Sequence, residues 1–478
     1  MDKKMDLYTG ELTYKGIKFA FAFSGDELRL VPQNAEQKET IHNEWKMREI
    51  REGVYTFSDP IPVQDNYLVG VCNETMRRIV FYPLPGSFLS FHMDVICIPL
   101  FAYIICRFDR ENIDRVCFTC TEINYIHSVQ NVISKRFDQN RFAQTGEADI
   151  SIEAFSHTTS EKQSFILDGK KVTAYFGIWR RIGGKNNEPP LSARSSLFFE
   201  FNATNDYSFI IRLWQVAKTF ISYLCYRTNI DMSSIQLQAP YPEGKHETFA
   251  AVHFIEPECR TEVEPLDAGR FISQNLIAGS EGRILTDISA DLLYTRHLPK
   301  SYHDGRSIDA ARFVMLTAAF EWEFHRQYPN GVPKSKETIA VEDEVKEEIQ
   351  QHIDNSTNKK KKVYKHLLNA IDYGSFQSEI VQVGKDYGDI INAFGEHIYK
   401  INHAELNYSK MGERLGKQRN AFAHGDLDKD FIGLALLDLI FLEMIIYAMQ
   451  LRHYGVEDLF IKHAINDLFK QNMMIPCE

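Results

Sequence analysis

At 478 residues, 44% of them hydrophobic and 25% charged, the chain is long enough for two or three domains with ordinary cores. Its formal net charge of -11 excludes a protein that coats nucleic acid by general electrostatics, so any RNA contact must come from a local basic pocket. Eight scattered cysteines exclude a disulfide framework, and Met1–Asp6 lacks the apolar stretch of a secretory signal, so the expected location is cytoplasmic.

The first two hundred residues read as strands. Ile17, Phe19, Phe21 and Phe23 alternate with other residues after Lys15-Gly16, and Leu28 and Leu30 continue the period after Ser24-Gly25-Asp26. Ile96–Phe108 is a continuous apolar run, and Val116–Ile123 alternates again. Cys117 and Cys120 fall in that second run. Three residues apart on a strand they face opposite ways, and no second pair follows at zinc-ligand spacing, so no metal site is expected. Asp168-Gly169, between Phe165–Leu167 and Val172–Phe176, signals a hairpin. Gly183–Pro190 reads as a loop and Leu197–Phe201 as a further strand. Residues 1–205 are therefore expected to form a β-rich domain, an antiparallel sheet or sandwich.

The period changes at Asn205-Asp206. Phe209, Leu213, Val216, Phe220 and Leu224 recur at helical spacing behind Asp206, a good N-cap. Residues 206–300 are expected to be a mixed helical and strand region packed with the first domain, closed by the polar segment Arg296–Arg306. From Ser307 the patterning is helical: Phe313, Leu316, Phe320 and Phe324 mark one buried face, and Pro329-Asn330-Gly331 ends it. Val341–Ile353 is acidic and amphipathic, and Lys359, Lys360, Lys361 and Lys362 open a basic stretch. Helical patterning resumes over Ile390–Ile401, Met411–His424 and Phe431–Tyr454. Residues 301–478 thus predict an all-α bundle of about five helices, making the whole chain α+β and multidomain.

Phe431–Leu451 is apolar around most of its circumference but carries Asp438 and Glu443. Each acid near a bilayer centre costs about 2.5–3.5 kcal/mol. The central helix of a bundle, shared with a partner subunit, explains the segment better than a membrane span does.

The motif richest in chemistry is Arg419-Asn420-Ala421-Phe422-Ala423-His424, followed by Gly425, the residue expected where a helix stops. A guanidinium can hold a phosphate by parallel hydrogen bonds, and an imidazole can take or give the proton of a 2′-hydroxyl or a leaving 5′-oxygen. These residues resemble the HEPN superfamily, whose signature is an arginine, usually a following asparagine, and a histidine four to six places after the arginine. Ile308–Phe324 resembles the opening helix of the ApeA-like branch, a set of bacterial anti-phage proteins, and the stretch from Gly10 to Asn205 looks like that branch's N-terminal domain.

The resemblance implies a metal-independent endoribonuclease acting in abortive infection, with no cofactor. Arg419, Asn420 and His424 would be catalytic, and the active cleft would be composed from two copies in a homodimer or higher even oligomer. RNA, tRNA or mRNA, is the implied substrate, and a phage component the implied trigger. HEPN sites often add a polar or acidic group from the first helix, which nominates Glu321 to orient Arg419. Lys359–Lys362 is a candidate RNA contact, against the plainer reading of a solvated face balanced by the acidic helix before it. The rival function is a non-catalytic HEPN module for dimerisation or nucleotide binding.

Overall fold

The structure, a computed structural model, describes the chain apart from residues 1–6, 45–47, 57–60, 93, 108–109, 111, 137–142, 147–148, 243–244, 256–260, 373–374, 427–429 and 477–478. It has two compact units: Met1–Ser222 with Asn229–Val263 and Glu281–Ala290, and Tyr223–Thr228 with Glu264–Ser280 and Asp291–Glu478. Strands dominate the first and helices fill the second, an α+β architecture. Residues 206–300, expected as one connecting region, are divided between the units. Their strands complete the large sheet, while a short helical piece, Gln274–Leu276, packs on the last helix of the bundle.

In the first unit, strands β1 (Tyr8–Tyr14), β2 (Ile17–Ser24), β3 (Glu27–Val31), β4 (Leu68–Cys72), β5 (Arg77–Pro83) and β6 (Val95–Cys106) pair antiparallel in the order β6-β3-β2-β1-β4-β5. β5 then pairs back onto β6, with Val80 opposite Ile104. The expected sheet or sandwich is therefore closed into a barrel at this end. Its interior is the period-two set of the sequence: Phe19, Phe21, Phe23, Leu28, Leu30, Phe81, Ile96 and Ile98 are all buried. The same sheet continues from the other side of β6 through β12 (Lys245–Phe254), β11 (Ser234–Tyr241), β7 (Ile113–Phe118), β10 (Leu191–Thr204), β9 (Lys170–Ile182) and β8 (Gln163–Leu167). Burial of neighbouring residues such as Ile96, Cys97 and Ile98 explains why β6 reads as a continuous apolar run and not an alternating one.

The β8–β9 turn has Asp168 at φ +50° and Gly169 at φ +75°, the pair of left-handed residues that a two-residue hairpin requires. The run Val116–Ile123 is not one strand: β7 ends at Phe118, and Cys120 precedes a short helix, Thr121–Ile126. Helix α1 (Tyr207–Cys225) starts where expected, with Asp206 Oδ1 accepting the amides of Ser208 and Phe209 at 3.0 and 3.3 Å.

The second unit is built on α2 (Ala310–Gln327), α3 (Lys336–Asp354), α4 (Asn358–Asp372), α5 (Phe376–Asp386), α6 (Gly388–Ile401), α7 (Tyr408–Ala423), α8 (Ala435–His453) and α9 (Asp458–Leu468). The expectation of about five helices missed α4, α5 and α9. The lysine run masks the weak apolar face of α4, and the other two are only eleven residues long.

Helix α8 is the centre of the bundle, packed against α2, α6, α7 and α9. Its two acids are paired internally. Asp438 accepts Arg414 Nε at 2.6 Å and Nη2 at 2.7 Å as well as the Tyr399 hydroxyl, and Glu443 accepts Arg312 Nη2 at 2.8 Å. Residues 441–451 are buried within the single chain. Burial of this stretch is thus met within the chain, and its apolarity alone does not call for a partner subunit. Among the described residues of the segment, only Ile432, Leu436 and Ile440 leave large apolar side chains exposed; Leu436 and Ile440 share one face of the helix, and Ile432 lies just ahead of its start. No helix among the described residues is long and apolar enough to cross a membrane.

Candidate active site

Helix α7 carries the motif. Asn407 caps its start, its side chain accepting the Lys410 amide at 3.0 Å. Met411, Leu415, Gln418 and Phe422 recur on one face and are buried. Gln418 Oε1 accepts the amide of Ile432 at 2.8 Å, which ties the chain beyond the motif back to the helix. The helix stops at His424 because Gly425 takes φ +95°. The Gly425 amide donates to Phe422 O and the Asp426 amide to Ala421 O, both at 3.1 Å. That pair of bonds is the Schellman stop.

Arg419 leans inward from this helix. Its Nη2 donates to Glu321 Oε2 on α2 at 2.6 Å, and its guanidinium lies 6.0 Å from the centre of the Phe376 ring on α5. Close approach of α5 to α7 depends on Gly412, where a Cβ would lie 2.6 Å from the Gln377 Cα. The same approach brings in Glu379, a residue the sequence reading passed over. Glu379 is 5% exposed, and its Oε2 has no hydrogen-bond partner among the described residues. Burial pushes its carboxyl up to about 7, the charge of Glu321 adds to the rise, and Arg419 opposes it. Glu321 is also shifted upward by burial, against the pull of Arg419 and His325. The cluster therefore holds one cation between two acids, one of which exchanges its proton near neutrality. A sequence signal for Glu379 did exist. It lies at positions shared with Phe376, Ile380 and Val383 on the inward face of α5, and an acid on an apolar face is unusual.

The other residues of the motif face elsewhere. Asn420 and His424 are exposed, and the two are joined through the backbone, the His424 amide donating to Asn420 O at 3.1 Å. Five residues of helix turn a side chain by about 140°. Accordingly, no hydrogen bond or ion pair joins the side chains of Arg419 and His424 among the described residues. On α4, Lys359, Lys360 and Lys362 are exposed and Lys361 is half-buried, and that helix pairs with acidic α3. The lysines form no bond to Arg419, Glu321 or Glu379 among the described residues.

Among the described residues, one grouping with metal-ligand spacing exists, and it belongs to the strand-rich unit. Glu27, His92 and Cys97 bring ligand atoms within 4.8 Å of one another. Arg29 Nε already donates to Glu27 at 2.7 Å, so a cation already satisfies the only carboxylate of that set. Cys117 and Cys120 belong to no such grouping among the described residues.

No family model, no curated protein and no solved structure matches the chain.

Proposed function

We propose that the helical unit is a metal-independent endoribonuclease of the HEPN type, with Arg419 and His424 as its acting pair. The observation that carries the reading is the posture of Arg419. One guanidinium nitrogen is anchored on Glu321, which fixes the plane of the group while its remaining N–H donors can meet a phosphate. His424 stands at an exposed helix end, where it can reach a ribose. In the reaction, the 2′-hydroxyl loses its proton to a base and its oxygen attacks the adjacent phosphorus. Arg419 stabilises the doubly charged phosphorane-like arrangement, and the 5′-oxygen leaves with a proton from an acid. His424 supplies one of those proton transfers and Asn420 orients the phosphate. The products are a 2′,3′-cyclic phosphate and a 5′-hydroxyl.

Because Arg419 and His424 diverge on one helix, the reading assigns the complete cleft to two copies of the chain placed motif to motif. The exposed apolar side chains of Ile432, Leu436 and Ile440 follow the motif in sequence and support such a pairing. The biological setting we propose is anti-phage defence in the cytoplasm, with the strand-rich unit restraining the nuclease until a phage component binds.

The Arg419–Glu321 pair also favours a second reading. A guanidinium neutralised by a carboxylate is a structural tie, and the bundle would then be a non-catalytic dimerisation or nucleotide-binding module. One experiment separates the two. Purified full-length protein is incubated with tRNA, mRNA and total RNA, and the ends of any fragments are mapped. Cyclic-phosphate and 5′-hydroxyl ends that disappear in Arg419→Ala support the nuclease; intact RNA in every case leaves the module.

A further inference from the structure

The helical unit contains a cavity of about 380 Å³, within the size range of small-molecule sites. Its floor is apolar, made by Ile440 and Met444 of α8 with Leu468 and Phe469 at the end of α9. Its charged lining is cationic. The guanidinium carbons of Arg270 and Arg306 lie 4.8 and 4.9 Å from the centre of the Tyr302 ring, and Arg306 Nη2 donates to the Tyr302 hydroxyl at 3.2 Å. Neither arginine is ion-paired with a carboxylate among the described residues. Arg227, 1% exposed, lines the same space. The single acid in the lining, Glu443, is already held by Arg312 at 2.8 Å. Arg312 also donates to Gly305 O at 2.5 Å and Ser307 O at 3.1 Å, which fixes the turn that presents Arg306.

With the one carboxylate of the lining held by Arg312, the guanidinium groups of Arg270 and Arg306 make a concentrated positive field in a chain of net charge -11. Like charges gathered around a cavity repel one another, and an anion placed among them reverses that repulsion. Stacking on Tyr302 leaves the guanidinium edges available to oxygen, the geometry that suits phosphate. Beneath them the apolar floor suits an uncharged organic body.

We propose that this cavity binds a phosphate-bearing organic molecule of nucleotide size, its phosphates held by Arg270 and Arg306 and its body on the floor formed by α8 and α9. The site shares no residue with the Arg419 cluster, and the proposal holds whether or not Arg419 cuts RNA.

The test is isothermal titration calorimetry of the full-length protein with ATP, GTP, inorganic pyrophosphate and adenosine. The expected result is binding of at least one nucleotide triphosphate, weaker binding of pyrophosphate, and none of adenosine. Each of Arg270→Gln and Arg306→Gln should weaken the nucleotide by about tenfold or more, the usual loss when a hydrogen bond to a charged group is removed. Circular dichroism checks that the variants fold. Lys336→Gln, at the exposed start of α3, should bind like the parent. The proposal is overturned by no heat from ATP or GTP at millimolar concentration, by adenosine binding as tightly as ATP, or by affinity lost in the lysine variant and kept in both arginine variants.

Discussion

Arg419 of α7 and Glu321 of α2 meet at 2.6 Å, one third and about one fifth exposed respectively, so the motif arginine is fixed from outside its own helix. Its orientation therefore depends on a residue 98 positions earlier in the chain. Arg419→Ala and His424→Ala should each abolish RNA cleavage under the proposed function. The two should differ in stability. The histidine change should be close to neutral because the side chain is exposed, whereas loss of the arginine, one third exposed, should lower stability by about 1 kcal/mol. Urea denaturation beside an RNA-cleavage assay checks both; full cleavage by either variant would remove the catalytic assignment.

Glu379 gives a pH dependence with a definite sign. Its folded-state carboxyl titrates near 7 against an ordinary value of 4.5, so the folded state holds the proton more tightly than the unfolded one. The stability it contributes is complete below about pH 4.5 and is lost as pH rises through about 7. Glu379→Gln should remove that loss, gaining roughly 1–3 kcal/mol at pH 8 relative to the parent and much less at pH 5. An equal gain at both pH values would show that the carboxyl is not protonated in the fold.

Two glycines of α7 form a matched comparison. A Cβ on Gly412 would lie 2.6 Å from the Gln377 Cα, which cannot move without shifting α5, whereas the nearest atom to a Cβ on Gly416 is the Phe376 Cβ at 3.8 Å. Gly412→Ala should destabilise by about 1–3 kcal/mol. Gly416→Ala should stabilise by roughly 0.5–1 kcal/mol through helix propensity. Thermal melts of the two variants decide it, and matching shifts would mean that the α5–α7 approach tolerates a methyl group.

The ion pair inside the bundle should be expensive to break from one side. Asp438 is fully buried and Arg414 only partly so, and Arg414→Ala would leave the carboxylate with the Tyr399 hydroxyl as its remaining side-chain donor. The expected loss is about 3–5 kcal/mol. A loss below about 1 kcal/mol, measured by denaturant titration, would place this pair in the class of surface bridges.

Cleavage should survive excess EDTA, because in the proposed reaction Arg419 supplies the positive charge at the phosphate. Activity that vanished on chelation and returned with magnesium would assign the chemistry to a different site.

Much of the fold was legible because it is written in periods. The alternation Phe19-Phe21-Phe23 predicts a strand with one buried face, and the helical spacing of α1 and the glycine at 425 predict where a helix runs and stops. Barrel closure was not legible, since the pairing of β5 with β6 leaves no local mark on either strand. Helix α8 was legible as a buried helix, while the source of its cover was not. Its all-round apolarity is the same whether its cover comes from α2, α6, α7 and α9 or from a second chain. At the candidate site, Arg419 and His424 were readable as residue types at a spacing. Their divergence follows from helical geometry, while the entry of Glu379 depends on the packing of α5, an element whose short apolar face gave little sign of itself.

Strand β6 has neighbours on both edges, and they come from distant parts of the chain. Cys106 is opposite Ala250 on one side, while Ile105 is opposite Ile79 on the other. A ribosome adding about 5–20 residues per second would have made β1 to β6 roughly seven to thirty seconds before β12 emerged, counting from residue 106 to residue 250. Through that interval the nascent barrel would present one edge of the apolar ribbon Ala102–Cys106 without a partner strand, the kind of edge that recruits stray strands. Timely synthesis of β12, or a chaperone that shields the ribbon until then, becomes a condition for recovering the protein in good yield.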